Sequence, residues 1–302
     1  MMTDPTLFEL DALDVSSSPK RRPKRRRSGL DEAREFGAWS LNKLEVLEKY
    51  LRVYRRVAGN GTYIDGFAGT GHVTIGGQSR SGSAIIALES DAFRRLHYFE
   101  LPRRAASLRK TLESQRRAGR CDIRSGDFNQ LLPELLESGV VPRERPCFAF
   151  LDPNSTQHAW TSVDRLARYK TVDVGAKQCK VEMWILFNLQ QAIQRLWPRD
   201  RVRYSLPPHA ETLDSIMGDR EVWMDLWKGG KSPEWLLHRY RERIEDFGYA
   251  YVIPQYIADP ASGRPQYVMI HATDHDAAES FMSWAKRQSS YAAEAVAFPG
   301  FE

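Results

Sequence analysis

The chain has 302 residues, enough for one large domain or two small ones, with 42% apolar and 27% charged residues. That balance excludes a chain disordered throughout, a collagen-like chain and a coiled-coil rod, and no run approaches the roughly 18 apolar residues a membrane helix needs. The formal net charge is +5, but residues 20–27 read KRRPKRRR, so most of the excess sits in a short leader and the body is nearly neutral.

Residues 1–29 combine Pro5, Pro19, Pro23, a Ser16-Ser17-Ser18 run and the basic block, with little to bury, and read as a disordered basic leader. Its first part carries Asp4, Glu9, Asp11 and Asp14 and no apolar core, unlike a secretory signal. Arg21, Arg22, Arg25, Arg26 and Arg27 could attract nucleic-acid phosphates; the plainer reading is a solvated charge run. Residues 30–302 are expected to form a single domain. Leu41, Leu44, Leu47, Leu51 and Tyr54 recur at helical spacing, with Ser40 as the expected N-cap. Tyr63-Ile64 ends a strand, Gly66, Gly69 and Gly71 crowd into a turn, and Ser83–Leu88 reads as helix. The alternation continues: strand 96–100 and helix 103–117, strand 121–128 and helix 129–138, strand 147–154 and helix 160–169, then strand 181–189. Helices at 211–228 and 232–246 form a helical insertion of about 190–247. Strands 249–257 and 266–273 are joined by a short Pro/Gly link, and 275–288 closes as helix. The expected fold is a doubly wound, Rossmann-like α/β domain. Its seven-stranded sheet is mostly parallel, with an antiparallel C-terminal hairpin. Cys121, Cys147 and Cys179 are odd in number and show no zinc spacing, which suits a reducing cytoplasmic location.

Ligands of open parallel sheets bind past the carboxyl ends of the strands. Asp65, Glu100, Asp127 and Asp152 each follow an apolar run directly. One such acid is ordinarily a helix cap; four at successive strand ends point to a ligand site. The turn Asp65-x-Phe67-x-Gly69-x-Gly71 is neither the GxGxxG of dinucleotide folds nor a phosphate-cradling GxxxxGK[ST]. An acid ahead of the glycines suits a cationic amino-acid moiety better than a pyrophosphate, and the missing GxGxxG speaks against a nicotinamide enzyme.

Together these features resemble a class I S-adenosylmethionine (SAM) dependent methyltransferase. The nearer resemblance is to the three-Cys-motif partner (TcmP) family of bacteria. It rests on K-x-x-x-L-x-x-Y-L at Lys43–Leu51, YIDGFAGTG at 63–71, Gly82-Ser83 before an apolar helix, YFE at 98–100 and GDFN at 126–129. FLDP at 150–153, ILF at 185–187 and YVMIHATDH at 267–275 continue it, so that most of the chain is spanned. The resemblance implies SAM as cofactor, with Asp65, Gly66, Phe67, Gly69 and Gly71 around its methionine part and Glu100 on the ribose hydroxyls. Asp127 and Phe128 would flank the adenine, and Asp152, Pro153 and Asn154 would lie beside the transferred methyl. It also implies a separate three-cysteine partner protein, so the chain's own cysteines need no metal. One departure stands out. The fourth-strand motif reads Asp152-Pro153-Asn154-Ser155, where nucleic-acid amino-methylating enzymes carry an aromatic that stacks on a flipped base.

Weaker candidates are Trp39 and Lys43, for which a packed Trp and a solvated Lys are the plainer reading. Arg195, Arg199, Arg201 and Arg203, interleaved with Trp197 and Tyr204, suit phosphates and unstacked bases or form an ordinary charged loop. His158, His238 and His271 share no metal spacing. The function expected is SAM-dependent methylation of a nucleic acid; the alternative is a methyltransferase-like binding module that serves the partner protein with little catalysis of its own.

Overall fold

The computed structural model describes residues 35–36, 38–115, 118–169, 172–174, 177–189, 193–197, 200–203, 205–258, 265–277, 280 and 282–284. The leader, with its five arginines, lies outside them, as do Arg199, Tyr204 and most of the closing helix expected at 275–288. In chain order the elements are β1 (Glu35–Phe36), α1 (Ala38–Ala58), β2 (Gly61–Asp65), β3 (His72–Ile75), β4 (Gln78–Ser81), α2 (Ser83–Ser90), β5 (Phe93–Glu100) and α3 (Pro102–Glu113). There follow β6 (Cys121–Ser125), α4 (Phe128–Glu137), β7 (Cys147–Leu151), α5 (Trp160–Arg168), β8 (Val172–Val174), β9 (Lys177–Cys179) and β10 (Glu182–Phe187). The last group is α6 (Gln194–Leu196), α7 (Ala210–Met217), α8 (Glu221–Lys228), α9 (Glu234–Glu245), β11 (Tyr251–Ala258) and β12 (Pro265–Thr273).

The apolar runs form one seven-stranded sheet in the order β11-β12-β10-β7-β2-β5-β6. β10, β7, β2, β5 and β6 are parallel, while β12 runs antiparallel to both β10 and β11. The winding starts at β2, moves out to β5 and β6, then returns to β7. A switch point therefore opens between β2 and β7, where such sheets bind ligands. This is the doubly wound, Rossmann-like fold with the antiparallel C-terminal hairpin that the sequence predicts. β2 and β7 are buried along their whole length, as expected of strands covered on both faces. One face packs under α1, α2 and α3 through Leu47, Leu51, Tyr63, Leu108, Phe148 and Trp184. The other packs under α4, α5 and α7–α9 through Leu132, Val163, Ile185, Trp223 and Tyr240. Among the described residues no helix is long and apolar enough to cross a membrane.

Four expectations need correction. Helix α1 begins at Ala38, so Ser40 lies inside its first turn and is buried rather than capping it. The glycine turn does not lead straight into α2: the hairpin β3–β4 intervenes, and β1 pairs with β3. Its two-residue loop, Gly76-Gly77 at φ 55° and 76°, is the glycine pair that a tight hairpin turn requires. The helix expected over 211–228 is two, broken at Gly218, whose φ of 84° ends α7. The third strand stops at Ser125, because Asp127 already belongs to the cap of α4.

Candidate functional site

The site is built at the carboxyl edge of β2, where the chain must turn sharply between two covered neighbours. Main-chain bonds pin that turn on both sides: Gly66 N–H donates to Phe150 O at 3.1 Å and Ala68 N–H to Phe99 O at 3.1 Å. Asp65, the last residue of β2, is completely buried. Its Oδ1 accepts from Phe67 N–H at 3.1 Å, Tyr63 OH lies 3.4 Å from Oδ2, and the Ser83 side chain also bonds it. Burial pushes its carboxyl up to about 7; the Ser83 and Phe67 bonds oppose the rise, and the charges of Asp152 and Glu100 add to it. Asp65 thus shapes the turn from within.

The three glycines of the turn do different work. A Cβ on Gly66 would stand 3.0 Å from Leu151 Cδ2 and 3.2 Å from the Phe128 ring, so that glycine lets strand and helix close up. Gly71, at φ 91°, would bring a Cβ within 2.8 Å of Thr111 on α3. Gly69, at φ 66°, would meet nothing within 4 Å, so its backbone borders open space.

Glu100 ends β5 and is 7% exposed. Its Oε2 accepts from Gly69 N–H at 2.9 Å and its Oε1 from Leu101 N–H at 2.9 Å, with Arg104 Nη1 3.7 Å away. The carboxylate therefore ties the glycine turn to the neighbouring strand beside that open space. Gly126 N–H donates to Glu100 O at 3.0 Å and brings the end of β6 alongside. Asp127 is exposed and caps α4, its Oδ1 accepting from Asn129 N–H at 2.7 Å and Asn129 Nδ2 at 3.1 Å. Phe128 is 2% exposed, its ring against Phe67 and Phe99 at centroid distances of 5.5 and 5.2 Å, so it floors the site and offers no open face for stacking.

Asp152 follows β7. Its Oδ2 pairs with Lys43 Nζ from α1, and Lys43 is buried with its ammonium 5.7 Å from the centre of the Tyr267 ring. A solvated Lys43 was the plainer expectation; the structure instead brings it into the site. Pro153 is buried, Asn154 is exposed, and Asn154 N–H donates to Gln157 Oε1 at 3.2 Å. The loop beyond is held from two sides. Asn129 donates through Nδ2 to Gln157 O at 2.7 Å, and its Oδ1 accepts from Ala159 N–H and Ser162 Oγ, both at 2.8 Å. His158 is buried with Nε2 3.1 Å from Tyr240 OH on α9, and burial pushes its pKa down to about 4. Sequence reasoning missed Asn129 and the His158–Tyr240 pair, and it held Lys43 only as a weaker candidate. Asn129 and Lys43 stood inside quoted motifs; His158 gave no local signal.

The structure thus gathers Asp65, Glu100, Asp127 and Asp152 at one sheet edge. Of the cluster Arg195, Arg199, Arg201 and Arg203, with Trp197 and Tyr204, Arg199 and Tyr204 lie outside the described residues. Trp197 is buried against Trp223 at 6.3 Å, and its Nε1 and Arg201 Nη2 both donate to Lys231 O at 3.2 Å. Trp197 packs and cannot stack on a base. His158, His238 and His271 pair separately, with Tyr240, Glu242 and Glu182. Among the described residues no group of three metal-ligating side chains occurs, and no disulfide joins the three cysteines.

No family model matches the chain, and no curated protein sequence matches it. Among solved structures, TYW2 of M. jannaschii in complex with AdoMet is similar at a TM-score of 0.43 and 9% identity, over 79% of this chain and 76% of that one. Fibrillarin of Aeropyrum pernix with natively bound S-adenosyl-L-methionine gives 0.41 and 13%, over 78% and 76%. Precorrin-6y C5,15-methyltransferase of Geobacter metallireducens GS-15 gives 0.36 and 12%, over 75% and 86%. At TM-scores below 0.5 these likenesses add nothing to what the strand order already establishes.

Proposed function

We propose that the chain is a SAM-dependent methyltransferase whose cofactor lies across the carboxyl ends of β2, β5 and β6 and whose acceptor meets it beside Asp152. The observation that carries this reading is Glu100, a nearly buried carboxylate that holds the Gly69 N–H and borders the open space at Gly69. Each of its oxygens keeps a lone pair free of the bonds described, which fits two neighbouring ribose hydroxyls. Asp127 Oδ2 accepts no bond from the described residues and faces solvent at the rim, which fits an adenine amino group. The bound cofactor would supply an electrophilic methyl on a cationic sulfur. The chain's own part is to orient and exclude. Lys43 fixes Asp152 through Oδ2, leaving Oδ1 to accept an N–H or O–H of the nucleophile and align it.

A nucleic-acid acceptor and membership of the TcmP family are the finer parts of the same proposal. The motif order supports the family, and the basic block at 20–27 supports the acceptor. The Trp197 packing and the polar Asn154 remove two aromatic features that a base-stacking enzyme would use. Calorimetric titration with SAM and with S-adenosylhomocysteine (SAH) tests the cofactor. Micromolar binding lost in Glu100→Ala supports it, and no binding to folded wild type sinks it. Asp152→Ala should keep SAH affinity and lose methyl transfer; if it changes only the capture of a partner protein, the binding-module reading is the right one.

A further inference from the structure

Buried polar atoms without partners weaken a fold, so each one asks for a reason. Several such atoms here belong to groups already bonded through another atom, as in His97, Arg120 and His158. Three residues are different, in Trp184 Nε1, Asn188 Oδ1 and both amide atoms of Gln255. Trp184 and Leu186 pack on the α1 face of the sheet, and Asn188 follows directly after the last residue of β10. Gln255 lies on that face too, through the register Leu186↔Met269↔Gln255.

The register also places Asn188 along the sheet. Phe187 pairs with Val268 in the last pair of that ladder; Asn188 follows Phe187 and Tyr267, which pairs with Ile257, precedes Val268. Tyr267 is the ring under the Lys43 ammonium, and Lys43 holds Asp152. On the other side, Ile185 pairs with Leu151, which sets Asp152 level with Leu186, one step below Asn188. Asn188 is 9% exposed, and its Oδ1 is out of contact with solvent. Gln255 sits one step deeper.

We infer that Asn188 determines acceptor specificity: its carboxamide is kept unpaired to hydrogen-bond the edge of a nucleobase presented to Asp152. This rests on the methyltransferase reading above. A carboxamide offers a donor and an acceptor in one plane, which matches the paired donor and acceptor of a base edge and matches neither an ionised nor an apolar acceptor. The basic block at 20–27 favours the polyanion that carries such bases.

The test uses the full chain with Asn188→Leu, which keeps the volume and removes the amide. Removing a buried unpaired group should raise the melting temperature of the ligand-free protein by about 2–4 °C. SAH affinity should not change. Transfer of labelled methyl from SAM into total RNA or single-stranded DNA should fall at least about tenfold, the loss expected for one good base contact. Gln255→Leu should raise the melting temperature as well and leave transfer near wild type. A lower melting temperature in Asn188→Leu would show that the amide is already satisfied in the folded protein and would overturn the proposal. Unchanged transfer, equal loss in Gln255→Leu, or label found only in the protein pool overturns it too. So does a wild type that binds SAH and labels none of these pools. A wild type that does not bind SAH fails the underlying reading, and the melting comparison still decides whether Asn188 is held unpaired at a cost in stability.

Discussion

On the β2–β5–β6 side of the sheet edge the carboxylates are already engaged by the chain itself. Asp65 holds Phe67 N–H, Glu100 holds the N–H groups of Gly69 and Leu101, and Asp127 holds Asn129 N–H. On the β7–β10–β12–β11 side the polar groups are differently placed: Asp152 is paired by a side chain from another element, and Asn188 and Gln255 keep unpaired amides. A preformed cradle needs little reordering when its ligand arrives. A wall with unused hydrogen-bonding capacity is completed by a group brought from outside. Under the proposed function the contrast would separate a half built for one constant ligand from a half that discriminates.

Proton linkage should break the comparison most sharply, because the two halves carry buried groups shifted in opposite senses. Asp65 is raised from 3.8 to about 7, so it binds more protons folded than unfolded; its contribution is full below pH 4 and is lost as pH rises through 7. That loss amounts to about 4 kcal/mol. His158 is lowered from 6.5 to about 4, so it binds fewer protons folded; its contribution is full above pH 6.5 and is lost as pH falls through 4, by about 3 kcal/mol. In the wild type the two nearly offset each other between pH 4 and 7. Urea unfolding across that range should show Asp65→Asn gaining on wild type as pH rises and His158→Gln gaining on it as pH falls. Parallel curves for both variants would mean that neither group titrates as its burial dictates.

The next effect belongs to the cradle alone. Glu100→Ala removes the acceptor of two main-chain N–H groups and the proposed ribose contact together, so SAH affinity should fall about a hundredfold, or roughly 3 kcal/mol. Asn188→Leu, in the other half, should leave that affinity where it was.

Much of this edge was legible in the sequence, for a definite reason. A strand covered on both faces must be a continuous apolar run, so the acid that ends it marks the edge where ligands bind. Asp65, Glu100 and Asp152 follow that rule, whereas Asp127 stands in the cap of α4, past the half-buried edge strand β6. The glycine pair at 76–77 is an equally plain hairpin signal, and the hairpin it makes stands where the strand–turn–helix order predicts a direct run into α2. The pairings of Lys43 with Asp152 and His158 with Tyr240 span 109 and 82 residues, and no local pattern encodes such contacts. Phe128 shows the converse limit. Its place after Asp127 suggested an adenine neighbour, yet the ring is consumed by packing against Phe67 and Phe99. Sequence position told where the residue lies and not which way its ring is spent.

The smallest expected effects lie on the seam between the halves. Asn129 on α4 uses its whole side chain there, donating to Asp127 and Gln157 O and accepting from Ala159 N–H and Ser162 Oγ. It joins the cap of the cradle half to the loop that carries Asp152 and Asn154. Asn129→Ala leaves those partners unmatched in a half-buried place and should cost about 2 kcal/mol in urea unfolding. Ser162→Ala removes one of the four bonds and keeps Ala159 N–H satisfied, so it should cost about 1 kcal/mol or less. Hydrogen exchange then says what the seam is for. If Asn129 fixes the loop, Ala159 N–H should lose protection in Asn129→Ala and keep it in Ser162→Ala, while the Gly69 N–H on Glu100 stays protected in both. Loss of protection at Gly69 in Asn129→Ala would mean that the halves fold as one cooperative unit, and the division between a finished cradle and an open wall would not survive it.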